Sequence, residues 1–123
     1  MGHRPARFVE KPWGHEEIFA ETDGYVGKIL FVRAGEALSL QYHRVKEETL
    51  RVLDGEVELS AGPDQEGLVT HVLAPGAVFH VPPGLLHRMA ARTDCSILEV
   101  STPQINDVVR LEDRYGREGT SAP

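Results

Sequence analysis

Glycine and proline recur through the middle of this chain at Gly24, Gly27, Gly35, Gly55, Gly62, Gly67, Gly76 and Gly84 and at Pro63, Pro75, Pro82 and Pro83. Both residues punctuate regular structure, so the chain between them is divided into short pieces of strand length. The pieces HEEIFA, GYVGKILFVR, LSLQYH, TLRVL, EVELSA, LVTHVL, AVFHVP, HRMAAR and CSILEV are rich in Val, Leu, Ile and Phe, and several alternate in polarity. Alternation with period two marks a half-buried strand. Nine such strands in succession predict an all-β fold, a barrel or a sandwich. Asp54-Gly55, between RVL and EVEL, has the composition of a two-residue hairpin turn and predicts a tight hairpin there. From residue 104 the pattern changes: INDVVRLEDRYGREG is charged, and a short helix or irregular turn lying on the barrel is expected, with the final GTSAP frayed.

At 123 residues the chain has room for one domain with a real core, taken as 1–123, with the barrel over roughly 12–103 and a C-terminal segment over 104–123. Its formal net charge of -6, without a run of Lys or Arg, argues against a nucleic-acid partner. No apolar stretch approaches the roughly 20 residues of a membrane span. The opening MGHRPARFVE lacks the hydrophobic region of a signal peptide, so a cytoplasmic location is expected. A single cysteine, Cys95, excludes an internal disulfide, and its setting in CSILEV suits an inert core thiol.

The stretch LSLQYHRVKEETLRVLDG, residues 38–55, concentrates donor groups. Residues two apart on a strand project to one face, so Gln41 and His43 can share a target. If the chain bends and returns, Glu48 at the start of the next strand reaches the same point. His87, just after the turn PPGLL, can supply a fourth donor. An amide oxygen, two imidazoles and a carboxylate suit one divalent metal ion, zinc or manganese first and iron, cobalt or nickel as alternatives.

These residues stand in a recognisable order. Gly35, Gln41, His43, Glu48 and Gly55, followed by Pro82-Pro83-Gly84-Leu85-Leu86-His87, resemble the double motif of the cupins. KPWGHEE, GEALSLQYH, VPPGLLHR, ILEV and INDVVRLEDRYGR together are similar to the cupin domain of bacterial mannose-6-phosphate isomerases, over residues 10–117. The resemblance implies a cupin double-stranded β-helix, a jelly-roll barrel. Many cupins carry a second histidine where this chain has Val45, so the ligand set implied is Gln41, His43, Glu48 and His87, which zinc-dependent isomerases of that type also use.

Other residues are read beside that set. Lys28 shares strand parity with Leu30 and Val32 and is expected to face the barrel interior, unless the frame is shifted by one residue. Glu99 in ILEV matches a glutamate of the related enzymes, as a catalytic base or as half of a structural ion pair. Lys28 with a lowered pKa is the alternative base. His80 occupies a place where those enzymes have tyrosine, as a pocket-lining group or a surface one. Arg110 can clamp a phosphate with its planar fork or form a solvated ion pair. Trp13 reads as a packing anchor, and His3, His15 and His71 as structural.

The resemblance implies an aldose-ketose isomerase acting on a phosphorylated sugar through an enediol. A non-catalytic metal-containing cupin that binds a sugar or other small metabolite is the second reading, and an iron-dependent oxygenase the third. A homodimer joined through the N-terminal strand is expected, because a barrel's open edge needs cover.

Overall fold

The protein is described from a computed structural model covering residues 2–120. Among the described residues twelve strands are formed: β1 Arg7–Lys11, β2 Gly14–Glu21, β3 Val26–Val32, β4 Leu40–Tyr42, β5 Glu48–Asp54, β6 Val57–Gly62, β7 Val69–Leu73, β8 Val78–Val81, β9 Leu86–Ala91, β10 Cys95–Ser101, β11 Val109–Glu112 and β12 Gly119–Thr120. They make two antiparallel six-stranded sheets, ordered β1-β2-β3-β10-β5-β8 and β12-β11-β4-β9-β6-β7. All nine expected strands are present, and the all-β expectation holds. No helix occurs among the described residues, and none is therefore long and apolar enough to cross a membrane.

Two expectations are corrected. Among its described residues the C-terminal segment contains no helix: Val109–Glu112 pairs with β4 and Gly119–Thr120 with β11. Its burial alternates, with Val108 and Arg110 inside and their neighbours less covered, so an open sheet edge outweighs weak helical patterning. Ser121, Ala122 and Pro123, the end of the segment expected to fray, lie outside the described residues. Nor is Asp54-Gly55 a hairpin turn, because β5 and β6 belong to different sheets. Only Gly55 has positive φ, at 83°, whereas the hairpin turn expected from this dipeptide needs positive φ at both centres. The glycine is required for a second reason: a Cβ there would stand 2.3 Å from the Asp94 carbonyl oxygen.

Period-two burial sorts the inward faces. Leu30 and Val32 on β3, Leu50 and Val52 on β5, Val57 and Leu59 on β6 and Ile97 on β10 join Trp13, Val81 and Met89 in one apolar cluster between the sheets. Burying each Leu, Ile or Val side chain is worth about 1.5–3 kcal/mol before entropy is counted. The same inward faces become polar further along. Glu16 on β2, Lys28 on β3, Glu99 on β10 and Glu48 on β5 are all buried, and Lys28 and Glu99 are direct register partners. One end of the barrel is thus a hydrophobic core and the other a buried charged chamber.

Candidate functional site

The second sheet brings three candidates onto adjacent rungs: Gln41 pairs with Arg110 on one side and with His87 on the other. From the first sheet, Glu48 reaches across. Its Oε1 lies 3.0 Å from His43 Nε2 and 3.2 Å from His87 Nε2. The donor atoms of His43, Glu48 and His87 all lie within 4.8 Å of one another, and all three residues are buried. Gln41 Nε2 stands 3.5 Å from His87 Nε2, and Gln41 Oε1 accepts a hydrogen bond from Ser39 Oγ at 2.8 Å.

The histidine tautomers follow from their outer contacts. His43 Nδ1 is 2.6 Å from the Asp107 carbonyl oxygen, and His87 Nδ1 is 3.0 Å from that of Leu85. A carbonyl oxygen only accepts, so each Nδ1 carries a proton and each ring turns its Nε2 inward to Glu48. Both Nε2 atoms face one carboxylate oxygen, and a metal ion bound among them would take the place of any Nε2 proton and turn the pair into lone-pair donors. The donor chemistry therefore fits a metal ion, and the carbonyl contacts are the outer bonds that fix ligand imidazoles. Burial resists ionisation of Glu48, but hydrogen bonds from both histidines and the nearby Lys46 charge outweigh it and hold the carboxyl well below its ordinary range.

Two segments lock this geometry. The Asp107 carboxylate accepts the backbone N–H groups of Arg44, Val45 and Lys46, at 3.0, 2.7 and 2.8 Å, which shapes the bend between His43 and Glu48. Burial resists ionisation of Asp107, yet these three bonds together outweigh it and keep the carboxyl below its usual pKa. Gly84, at φ 86°, turns the chain before His87 and donates its N–H to the His43 carbonyl at 2.7 Å. The two motifs are hydrogen-bonded to each other.

Beside the cluster runs a buried chain of alternating charge. Lys46 Nζ lies 3.6 Å from Glu48 Oε2 and 3.0 Å from Glu99 Oε2. Lys28 Nζ lies 3.7 Å from that same Glu99 oxygen and 3.3 Å from Glu16 Oε2. Buried ions are tolerated when so compensated. Within the chain three carboxylates alternate with two ammonium groups. Burial and the Glu48 charge push Glu99 above the ordinary carboxyl range, while the two lysines oppose that shift. Burial likewise works against Lys46, but Glu99 and Glu48 raise it above the usual lysine value.

A cavity of about 50 Å³ adjoins this chain and is lined by Gln41, His43, Glu48, Glu99, Lys28 and Lys46. That is room for a few water molecules. Its lining continues to part-exposed Lys11, Ile105 and Arg117 and to buried Arg110. Burial and the neighbouring Arg117 charge lower the Arg110 pKa. Burial also lowers that of Lys11, to which Lys28, Arg110 and Arg117 contribute by repulsion. The deep part of the cavity suits a cation, and the outer part carries Lys11, Arg110 and Arg117, the last of them paired bidentately with Asp113 at 2.9 and 3.0 Å.

Of the residues singled out from sequence, Lys28, Gln41, His43, Glu48, Glu99 and Arg110 line this one cavity, and His87 adjoins it through Glu48. His80 is not brought there. Inward-facing Val81 follows it, so His80 faces out, exposed, with its Nε2 2.6 Å from Glu47 Oε2. Trp13 packs in the core and lines the cavity as well. Glu16, Lys46, Asp107, Lys11 and Arg117 were not anticipated. The first two share inward parity with Ile18 and Glu48, a signal that polar residues at core positions do carry.

Comparisons with known proteins agree with this architecture. A cupin domain model matches residues 28–101. Mannose-1-phosphate guanylyltransferase of Escherichia coli is 31% identical over 120 residues, covering 94% of this chain and 24% of that protein. The xanthan biosynthesis protein XanB of Xanthomonas campestris is 28% identical over 116 residues, covering 90% and 24%. The chain spans about a quarter of the length of the curated relatives it matches. Among solved structures, the capsular polysaccharide assembling protein CapF of Staphylococcus aureus superposes with a TM-score of 0.78 at 16% identity, over 90% of this chain and 33% of that one. With its barrel, its paired motifs and a match over more than half its length, the chain belongs to the cupin domain family.

Proposed function

We propose that this cupin is a metal-dependent aldose-ketose isomerase of a phosphorylated sugar, mannose 6-phosphate first among candidates. The observation that carries the reading is the division of one cavity into a cation-suited cluster of His43, Glu48 and His87 and an outer wall of Lys11, Arg110 and Arg117. Zinc or manganese would be held by the two Nε2 atoms and Glu48. Rotating the Gln41 amide by half a turn presents its oxygen to the same ion while its nitrogen donates to Ser39 Oγ. Bound there, the ion supplies Lewis-acid stabilisation of negative charge on sugar oxygens.

The rest is work for the chain's own residues. The cavity admits the C1–C2 end of a sugar in place of a few waters, leaving the phosphate among the outer cations. Glu99, beside Glu48 and fully inside, moves the proton between C1 and C2 as general base. Lys46 orients that carboxylate through its 3.0 Å contact. Lys28, held between Glu16 and Glu99, serves as countercharge rather than base. The reading includes a homodimer through β1, which is an edge strand with Phe8 exposed; light scattering would measure it.

One observation favours a second reading, a metal-containing cupin that binds a sugar or small metabolite without converting it. The carboxylate oxygen Glu99 Oε2 already faces both ammonium groups, so a base here must loosen an ion pair. The test is purified protein loaded with Zn or Mn and incubated with aldose and ketose phosphates in deuterated water. Interconversion with deuterium at C1 or C2 supports the isomerase. Ligand-dependent thermal stabilisation without conversion supports binding alone.

A further inference from the structure

Glu16 stands apart from the metal cluster, and one of its oxygens is unusual. The residue is 5% exposed and lines the cavity. Oε2 meets Lys28 Nζ at 3.3 Å, whereas Oε1 is buried with no hydrogen-bond partner among the described residues. A buried carboxylate oxygen left unsatisfied is costly, and such groups are rare unless something outside the chain completes them. Lys11 and Arg110, on the outer wall, feel the Glu16 charge. Glu16 thus lines the cavity between the buried charged chain and the cationic rim, with Oε2 on Lys28 and Oε1 left open. It is an acceptor only, so its complement is a donor, and a neutral hydroxyl fits better than the phosphate that the neighbouring cations would hold.

We propose that Glu16 Oε1 receives a hydrogen bond from one hydroxyl of the bound ligand, making Glu16 the residue that selects a polyhydroxylated ligand over its deoxygenated counterpart. The inference rests on the sugar-phosphate reading of the cavity but not on turnover. A site built to pair a hydroxyl rejects an analogue lacking it, because its own polar atom is then stranded. Glu16→Gln keeps the shape. Its amide oxygen is drawn to Lys28, which leaves the amide N–H groups, donors, facing the cavity.

The experiment is calorimetric titration of the zinc-loaded full chain and its Glu16→Gln variant with mannose 6-phosphate, a set of monodeoxy hexose 6-phosphates and inorganic phosphate. For the wild type, one deoxy analogue is expected to bind about 10- to 100-fold more weakly than the parent, the range for a hydrogen bond to a charged group. In the variant the parent sugar falls to the level of that analogue. Inorganic phosphate binds as tightly as before or tighter, since a nearby negative charge is gone. Wild-type protein that binds no sugar phosphate, or treats parent and deoxy ligands alike, overturns the inference even if the variant fails to fold. Equal weakening of every ligand in the variant, phosphate included, also overturns it. If sugars are bound with this discrimination but never converted, the isomerase reading fails and the role of Glu16 stands.

Discussion

His43 and Glu48 lie on either side of a bend, yet their side chains meet at 3.0 Å from Nε2 to Oε1. What closes that gap is a third residue far along the chain. Asp107 receives three consecutive backbone N–H groups from the bend through its carboxylate and His43 Nδ1 through its own carbonyl. The C-terminal segment therefore shapes the cluster from outside it.

Asp107→Ala is expected to lower metal affinity by about 10- to 100-fold, the usual consequence of removing an outer partner of a ligand. It should also destabilise the fold by about 1–3 kcal/mol through the stranded N–H groups. Competition with a chromophoric chelator and urea unfolding measure the two effects. An unchanged chelator midpoint would show that the bend holds its shape unaided.

The corner at Gly55 separates strain from crowding. Gly55→Ala combines positive φ with a Cβ 2.3 Å from the Asp94 carbonyl oxygen, whereas Gly84, also at positive φ, has nothing within 4 Å of a Cβ. Gly84→Ala should cost about 1–2 kcal/mol from backbone strain alone, and Gly55→Ala clearly more, because strand β10 must move. Denaturant midpoints for the two variants, with matched slopes, decide the order.

Lys46 is the hinge of the charged chain, compensating both Glu48 and Glu99. Lys46→Met leaves two buried carboxylates short of a countercharge and should destabilise by about 3–5 kcal/mol, the range for breaking a buried pair. Adding Glu99→Gln should restore part of that loss. A double-mutant cycle by urea unfolding reads the coupling, and strictly additive losses would mean that the pair is not coupled.

Cys95 is buried, and burial together with the charges of Asp94 and Asp54 pushes its thiol up to about 11. At pH 8 only about one molecule in a thousand then carries the thiolate, which is the reacting form. Modification of the folded protein by a disulfide reagent should be slow and should accelerate sharply in denaturant. Rapid labelling under native conditions would contradict that placement.

Much of this architecture was legible because period-two patterning survives wherever a strand has one buried face. Lys28 is an instance: parity with Leu30 and Val32 placed it inside, and it is 4% exposed. The shared face of Gln41 and His43 was readable for the same reason, whereas the convergence of Glu48 and His87 with them was what the resemblance to the cupin motif implied. Long-range partnership was not. Nothing local to Asp107 announces that its carboxylate organises a bend more than sixty residues earlier. The Asp54-Gly55 signal failed because turn composition reports backbone conformation and not which sheet each flanking strand joins. The C-terminal strands were hidden because an edge vacancy on β4, a property of the assembled sheet, decided their form.

The most direct test is calorimetric titration of chelator-stripped protein with Zn²⁺, alongside a His43→Ala/His87→Ala double variant. One ion per chain is expected for the wild type, with an affinity lowered more than about 100-fold in the double variant, beyond the loss from an outer partner. A double variant that is folded and binds zinc with the wild-type stoichiometry and affinity would show that the cation resides elsewhere.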